Sequence, residues 1–126
     1  MANELTVSFG CQYYDSTSGI RIPSIQQLSK QFNQTTKKSW ASTVVIGTSE
    51  EDIAPTDLTD PEFYVCINLD TTNYVQIGPK SGGAMVAQNR LRASNGMCFG
   101  ELEPSTTLRA KANTASCNVL IVVWDR

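Results

Sequence analysis

The chain contains no histidine. That absence excludes Ser-His and Cys-His nucleophile pairs, His-ligated metals and an imidazole pH switch. Charge is also scarce: charged residues make up 17% of the 126, against about 25% in ordinary soluble domains. The balance is slightly acidic, at a net charge of -2, so the clustered cations that neutralise phosphates are missing and nucleic-acid binding is not expected. No apolar run reaches the roughly 18 residues of a membrane span. The start, Met1-Ala2-Asn3-Glu4-Leu5, lacks the cationic-then-apolar order of a secretory signal, so synthesis in a cytoplasm and no membrane contact are expected. Cys11, Cys66, Cys98 and Cys117 include no C-x-x-C pair and no zinc-type spacing. Without an export signal, free thiols packed as small core hydrophobes are the expected state.

Uncharged polarity fills the gap. Ser, Thr, Asn and Gln supply roughly a third of the chain. That mix suits sheets with hydroxyl- and amide-covered faces better than helices with ionic ones. A chain of this length buries roughly 65% of its unfolded surface in one core.

Leu5, Val7 and Phe9 alternate with Thr6 and Ser8, a half-buried strand. Tyr13 to Gly19 reads as a polar turn, and Ile20-Arg21-Ile22 as a short strand ended by Pro23. Ser24 to Lys38 is ambiguous. Ile25, Leu28 and Phe32 have helical spacing, but the crowded Gln, Asn and Thr favour irregular or strand structure, with a short helix as the alternative. Trp40 to Ile46 is a strand closed by Gly47. Phe63 to Leu69 is the strongest strand, and its odd positions Phe63, Val65 and Ile67 are expected to face the core. Asp70 to Asn73 is a turn by its Asx and Thr content, and with Tyr74 to Ile77 it reads as a hairpin. Asn95-Gly96 is a tight-turn dipeptide. Leu108, Ala110 and Ala112 alternate inward. Leu120 to Trp124 is apolar on both faces, which marks a strand central to a sandwich or covered by a neighbouring subunit. Eight or nine short strands with regular turn signals predict an all-β fold: an antiparallel β-sandwich, jelly-roll-like, with at most one short helix. The expected organisation is a single domain over residues 1–126, with a polar N-terminal arm at roughly 12–38.

Candidate chemistry is thin. Gly78 to Gly83 superficially resembles a phosphate loop, but its lysine precedes the glycine pair and strand residues follow, so a hairpin turn is expected. Glu50-Glu51-Asp52 offers oxygen ligands for a hard cation, but three consecutive acids without alternating ligand positions read as a solvated cluster. Glu101 and Glu103 share a strand face, and paired carboxylates do glycosidase chemistry only across a cleft; surface acids are the expected reading. Tyr13, Tyr14, Trp40, Tyr64, Tyr74 and Trp124 could stack on sugars, but most lie inside strands. Arg90, Arg92, Arg109 and Lys111 form the main cationic concentration and are the candidate partner-binding residues, suited to orienting an acidic surface. No nucleophile, base or metal set survives, so a non-enzymatic protein without a cofactor is expected.

One resemblance is specific. Val45 to Glu51, then Phe63 to Asp70 and Thr71-Thr72-Asn73-Tyr74-Val75-Gln76-Ile77-Gly78, is similar to small virion structural proteins of tailed bacteriophages, which share an NLD-x-TNYV-x-IG stretch. Thr107 to Ala115 resembles their "TL-x-A-x-A-x-T-A" ending. The similarity covers roughly residues 44–124. It implies a capsid decoration or cement protein: a homotrimer on the capsid exterior that bridges and stabilises major capsid protein subunits, with the N-terminal arm ordering on partners. A neck, fibre or baseplate component of the same virion is the near alternative, and a carbohydrate-binding module for host attachment the distant one.

Overall fold

The computed structural model describes residues 3–14, 17–19, 21–34, 38–53, 58, 60–103 and 105–125. The chain divides into two compact units, Met1–Lys37 and Lys38–Arg126. Residues 15, 16, 20 and 35–37, where the sequence places part of the polar turn, the start of a short strand and the end of the arm, lie outside the described residues.

In the first unit, β1 (Asn3–Tyr14) pairs antiparallel with β2 (Arg21–Gln34), in register from Asn3 opposite Gln34 to Tyr14 opposite Arg21. The ladder shifts between Phe9 and Cys11 and again between Cys11 and Tyr13. Each time β2 advances one residue further than β1, so the extra residue sits on β2. Pro23 falls in the second shift. A bulge tolerates proline because its extra residue makes no ladder bond. The strand therefore runs through Pro23 instead of ending there. The helical spacing of Ile25, Leu28 and Phe32 is overridden, because pairing with β1 satisfies the same backbone groups.

The second unit is a jelly roll. Its strands are β3 (Ser39–Ile46), β4 (Glu51–Ile53), β5 (Pro61–Asn68), β6 (Val75–Ser81), β7 (Ala84–Met85), β8 (Asn89–Leu91), β9 (Met97–Glu101), β10 (Leu108–Ala112) and β11 (Cys117–Asp125). One antiparallel sheet has the order β3-β11-β5-β9. The other has the order β4-β10-β6, with β7 and β8 following one another along the far edge of β6. Every connection changes sheet except β6 to β7 and β7 to β8, which is the double Greek key of eight-stranded jelly rolls.

Inward positions alternate strictly. Cys117, Val119, Ile121 and Val123 of β11 are buried, as are Leu108, Ala110 and Ala112 of β10, Val75 and Ile77 of β6 and Leu91 of β8. Fully burying one such Val, Ile or Leu side chain contributes about 1.5–3 kcal/mol. On β5 the inward residues are Tyr64, Cys66 and Asn68, opposite Val123, Ile121 and Val119. This corrects the expectation for that strand: Phe63, Val65 and Ile67 lie on the sheet's outer face. Both parities of β5 are apolar, so alternation alone could not choose between them.

The expected hairpin at Asp70–Asn73 is also corrected. It is an arch, because β5 and β6 belong to different sheets. Buried Asn68 anchors it: Nδ2 donates to the carbonyls of Asn73 (2.8 Å), Leu91 (3.1 Å) and Arg92 (3.3 Å), and Oδ1 accepts from the Asp70 N–H (3.0 Å). The Asp70 carboxylate then accepts from the N–H groups of Thr72 and Asn73, an Asx turn. At Asn95-Gly96 the left-handed residues are Ser94 (φ 62°) and Asn95 (φ 67°), not the glycine. Gly96 is needed for space, since a Cβ there would overlap the backbone of Arg92. The Gly82-Gly83 turn does follow the sequence. Its φ values of 58° and 89° match the mirror-image two-residue turn that joins Ser81 to Ala84.

Candidate functional site

The outer face of the β3-β11-β5-β9 sheet carries a largely apolar patch over three successive rows, broken by Ser39, Thr43 and Glu101. Cross-strand register aligns Ser39, Trp124, Phe63 and Glu101; then Ala41, Val122, Val65 and Phe99; then Thr43, Leu120, Ile67 and Met97. The Phe63 ring lies between those of Trp124 (5.9 Å between centroids) and Phe99 (6.4 Å). Leu120, Val122, Val65 and Ile67 are half-buried, while Met97 (61%) and Val45 (62%) at the rim are well exposed. Four strands about 4.8 Å apart and three rows about 6.8 Å apart span roughly 400 Å² of sheet, the polar positions and the buried Phe63 included. That is about half of what each partner contributes to a standard protein interface. A docked partner therefore needs surface beyond this face as well.

This face was only partly legible. The doubly apolar Leu120–Trp124 run pointed to it. Its continuation onto β5 and β9 needed the register.

The four candidate cations lie on or beside the other sheet, and it splits them. Arg109 on β10 is committed: Nε donates to Asp52 Oδ1 (2.6 Å), and Nη1 to Glu50 Oε2 (3.2 Å) and the Gly83 carbonyl (2.8 Å). Lys80 Nζ also reaches Asp52 at 3.4 Å. The Arg109 hydrogen bond holds the Asp52 carboxyl below its ordinary value, and the same bond pushes the Arg109 guanidinium up. Lys111 and Arg90 stand in register on either side of Gln76, roughly 10 Å apart across two strand spacings. Arg90 lies over the Tyr74 ring, 4.3 Å from its centroid. Arg92 is exposed just beyond β8. Among the described residues, Lys111, Arg90 and Arg92 have no carboxylate partner.

Other sequence candidates are absorbed by architecture. Glu50 and Asp52 serve the Arg109 network, Glu50 Oε2 also accepts from the Met85 N–H (2.9 Å), and the Glu51 carboxylate accepts from the Gly47 N–H. The acids expected to form a solvated cluster are thus engaged in the fold. Among the described residues no three metal-ligating side chains converge. Glu101 and Glu103 do line one shallow cleft of about 190 Å³ with Tyr64, Pro79, Gln88 and Leu108. Burial pushes the Tyr64 phenol up to about 12, so it is protonated at neutral pH. An apolar cavity of about 180 Å³ opens beside Ile53, Pro61, Leu102, Leu108 and Val123. Both are smaller than the roughly 300–1,000 Å³ of small-molecule sites. The aromatics form no stacking platform among the described residues: Trp40 and Tyr64 point inward, Trp124 lies on the outer face of their sheet, and Tyr74 sits beside the other sheet. The side chains of Tyr13 and Tyr14 lie outside the described residues.

The residues that carry the phage resemblance have architectural work. Asn68, Asp70 and Asn73 build the arch, and Val75 and Ile77 fill the core. Gly78 sits under the bulged edge at Val86, where a Cβ would overlap the Val86 carbonyl. Ala110 and Ala112 are fully buried on β10. Beyond them, Asn113 Oδ1 accepts from the Tyr74 N–H (3.1 Å) and Thr114 Oγ1 donates to Asn73 Oδ1, tying the β10–β11 arch to the β5–β6 arch. No helix among the described residues is long and apolar enough to cross a membrane. No protein-family model, no curated protein and no solved structure matches the chain.

Proposed function

We propose that the protein is a non-enzymatic virion structural component of a tailed bacteriophage, a capsid decoration or cement protein acting through its surface. The observation that carries this reading is the apolar outer face of the β3-β11-β5-β9 sheet. An apolar sheet face is what a docking module presents to a partner. The jelly-roll fold supports the reading as analogy only, since it serves viral capsids, lectins and cupins alike. The motif resemblance supplies the virion setting.

In this reading the mechanism is mechanical. Copies associate as a homotrimer and bridge neighbouring major capsid protein subunits from the capsid exterior, and repeated contacts offset the pressure of packaged DNA. Arg90, Arg92 and Lys111 orient docking toward an acidic surface, with Arg109 held back by its own carboxylates. The N-terminal unit supplies further contact area.

The test is quantitative mass spectrometry of purified virions, with light scattering of the isolated chain. Hundreds of copies per particle and a trimer in solution support the reading. About a dozen copies moves the protein to a neck, fibre or baseplate, and its absence from particles ends the proposal. Glycan binding lost in Trp124→Ala would favour the carbohydrate-binding alternative. A hydrolase activity lost in Glu101→Gln or Glu103→Gln would overturn the non-enzymatic reading.

A further inference from the structure

We propose that Cys66 and Cys98 form a reversible disulfide site: hydrogen peroxide oxidises the pair, and the new bond clamps the edge strand β9 to β5.

The two cysteines are 32 positions apart in the chain and directly opposite one another in the sheet. Both point inward, Cys66 fully buried and Cys98 8% exposed, and both are free thiols. The Asn68 N–H donates to the Gly96 carbonyl (2.9 Å), and the Leu102 N–H to the Glu62 carbonyl (2.6 Å). Antiparallel pairs alternate between hydrogen-bonded and non-hydrogen-bonded, so these two bonds place Cys66 and Cys98 in a hydrogen-bonded pair, with Cα atoms about 5.5 Å apart. Disulfides span Cα separations of about 4.4–6.8 Å. Cys117 does not compete: it faces Ile46 across the ladder, and its Sγ lies 3.5 Å from the Ala115 carbonyl.

The pair is chemically asymmetric. The hydrogen bond to Cys98, together with burial, pushes the Cys66 thiol up, and the same bond draws Cys98 down. Cys98, on the edge strand and the more exposed of the two, is the thiol that peroxide reaches first, and it attacks as the thiolate. Its sulfur displaces hydroxide from hydrogen peroxide, giving a sulfenic acid; the hydroxide takes a proton and leaves as water. The Cys66 sulfur then attacks the Cys98 sulfur. The S–S bond forms, the sulfenic oxygen departs with the Cys66 proton as a second water, and two thiols have reduced one peroxide. Entry is through β9, a five-residue strand bonded within its sheet only to β5. Opposite Cβ atoms of such a pair stand near 5.5 Å, against about 3.8 Å in a relaxed disulfide. The bond pulls the strands together and is easily reduced, which makes the site a switch rather than a permanent staple.

The experiment treats the folded full chain with hydrogen peroxide, alkylates the remaining thiols and maps peptides by mass. The expected result is a loss of about 2 Da, a Cys66–Cys98 linked peptide, reversal by dithiothreitol, and amide exchange in residues 97–101 slowed about tenfold. Cys98→Ala should abolish the link and the slowing, while Cys117→Ala keeps both. Should Cys98→Ala fail to fold, the peptide map of the unmodified chain decides alone. Separate oxidation of Cys66 and Cys98, their continued alkylation as two thiols, or a link that forms only in denaturant would overturn the proposal.

Discussion

The two sheets of the jelly roll turn opposite surfaces outward. On β4-β10-β6-β8 the outer face carries Arg109, Asp52, Lys111, Gln76 and Arg90, the ordinary pattern of a half-solvated antiparallel sheet. On β3-β11-β5-β9 the outer face carries Trp124, Phe63, Val122, Val65, Leu120 and Ile67. Both outer faces lie over apolar inner layers. An outward face of charge is fully compatible with water, whereas a contiguous face of branched and aromatic side chains is the kind of surface that binds partners. The contrast marks the β3-β11-β5-β9 face as the apolar half of the proposed docking surface and leaves the charged sheet to orient it.

Inner positions give the largest test of this division. Ile121→Ala removes a fully buried side chain between the sheets and should cost about 2–5 kcal/mol in urea unfolding. Its neighbour Leu120, pointing outward and half-buried, should cost clearly less when cut to Ala. Equal costs would erase the distinction between the faces. Asn68→Ala should follow at about 2–4 kcal/mol, because it strands the Asp70 N–H and the Asn73 and Leu91 carbonyls near the core.

Rim substitutions separate stability from association. Met97→Asp combined with Val45→Asp should shift unfolding by no more than about 1 kcal/mol, since both residues are well exposed. The same variant should lose self-association by light scattering, and retention of the oligomer would remove this face from the interface.

Acid gives the smallest effect and probes the ionic sheet and the arch. Arg109 holds Asp52 low, and the backbone N–H groups of Asn73 and Thr72 hold Asp70 low. A carboxyl whose value is depressed in the folded state binds its proton less readily there than in the unfolded chain. Its contribution is complete above the ordinary value near 3.8 and fades as pH falls through the lowered value. Stability should stay nearly level from pH 7 to about 5 and decline below about 4, with Asp70→Asn flattening part of that decline. A profile already falling at pH 6 would contradict this origin.

Much of the strand inventory was readable from residue order. Alternation on β10 and the apolar run of β11 specified the elements and the inward residues of β10, because a half-buried strand has period two. The Gly82-Gly83 turn was readable because a glycine pair takes the two successive left-handed positions of a mirror-image turn at no steric cost. The parity of β5 was not, since Phe63-Tyr64-Val65-Cys66-Ile67 is apolar on both sides. The cationic cluster was readable as a list but not as a patch: Arg109 has neighbours in Asp52 and Glu50 that are 57 and 59 positions away.

Residue order, then, determined an all-β chain with too little ionisable chemistry for histidine-based catalysis. Those are local properties of side-chain type and spacing. Tertiary structure alone decided that Asp70–Asn73 crosses between sheets, that Cys66 meets Cys98, and that one outer face is greasy while the other is ionic. Each of these depends on which strands become neighbours. Strand neighbours are chosen by packing the whole core at once, which no short stretch of the chain encodes.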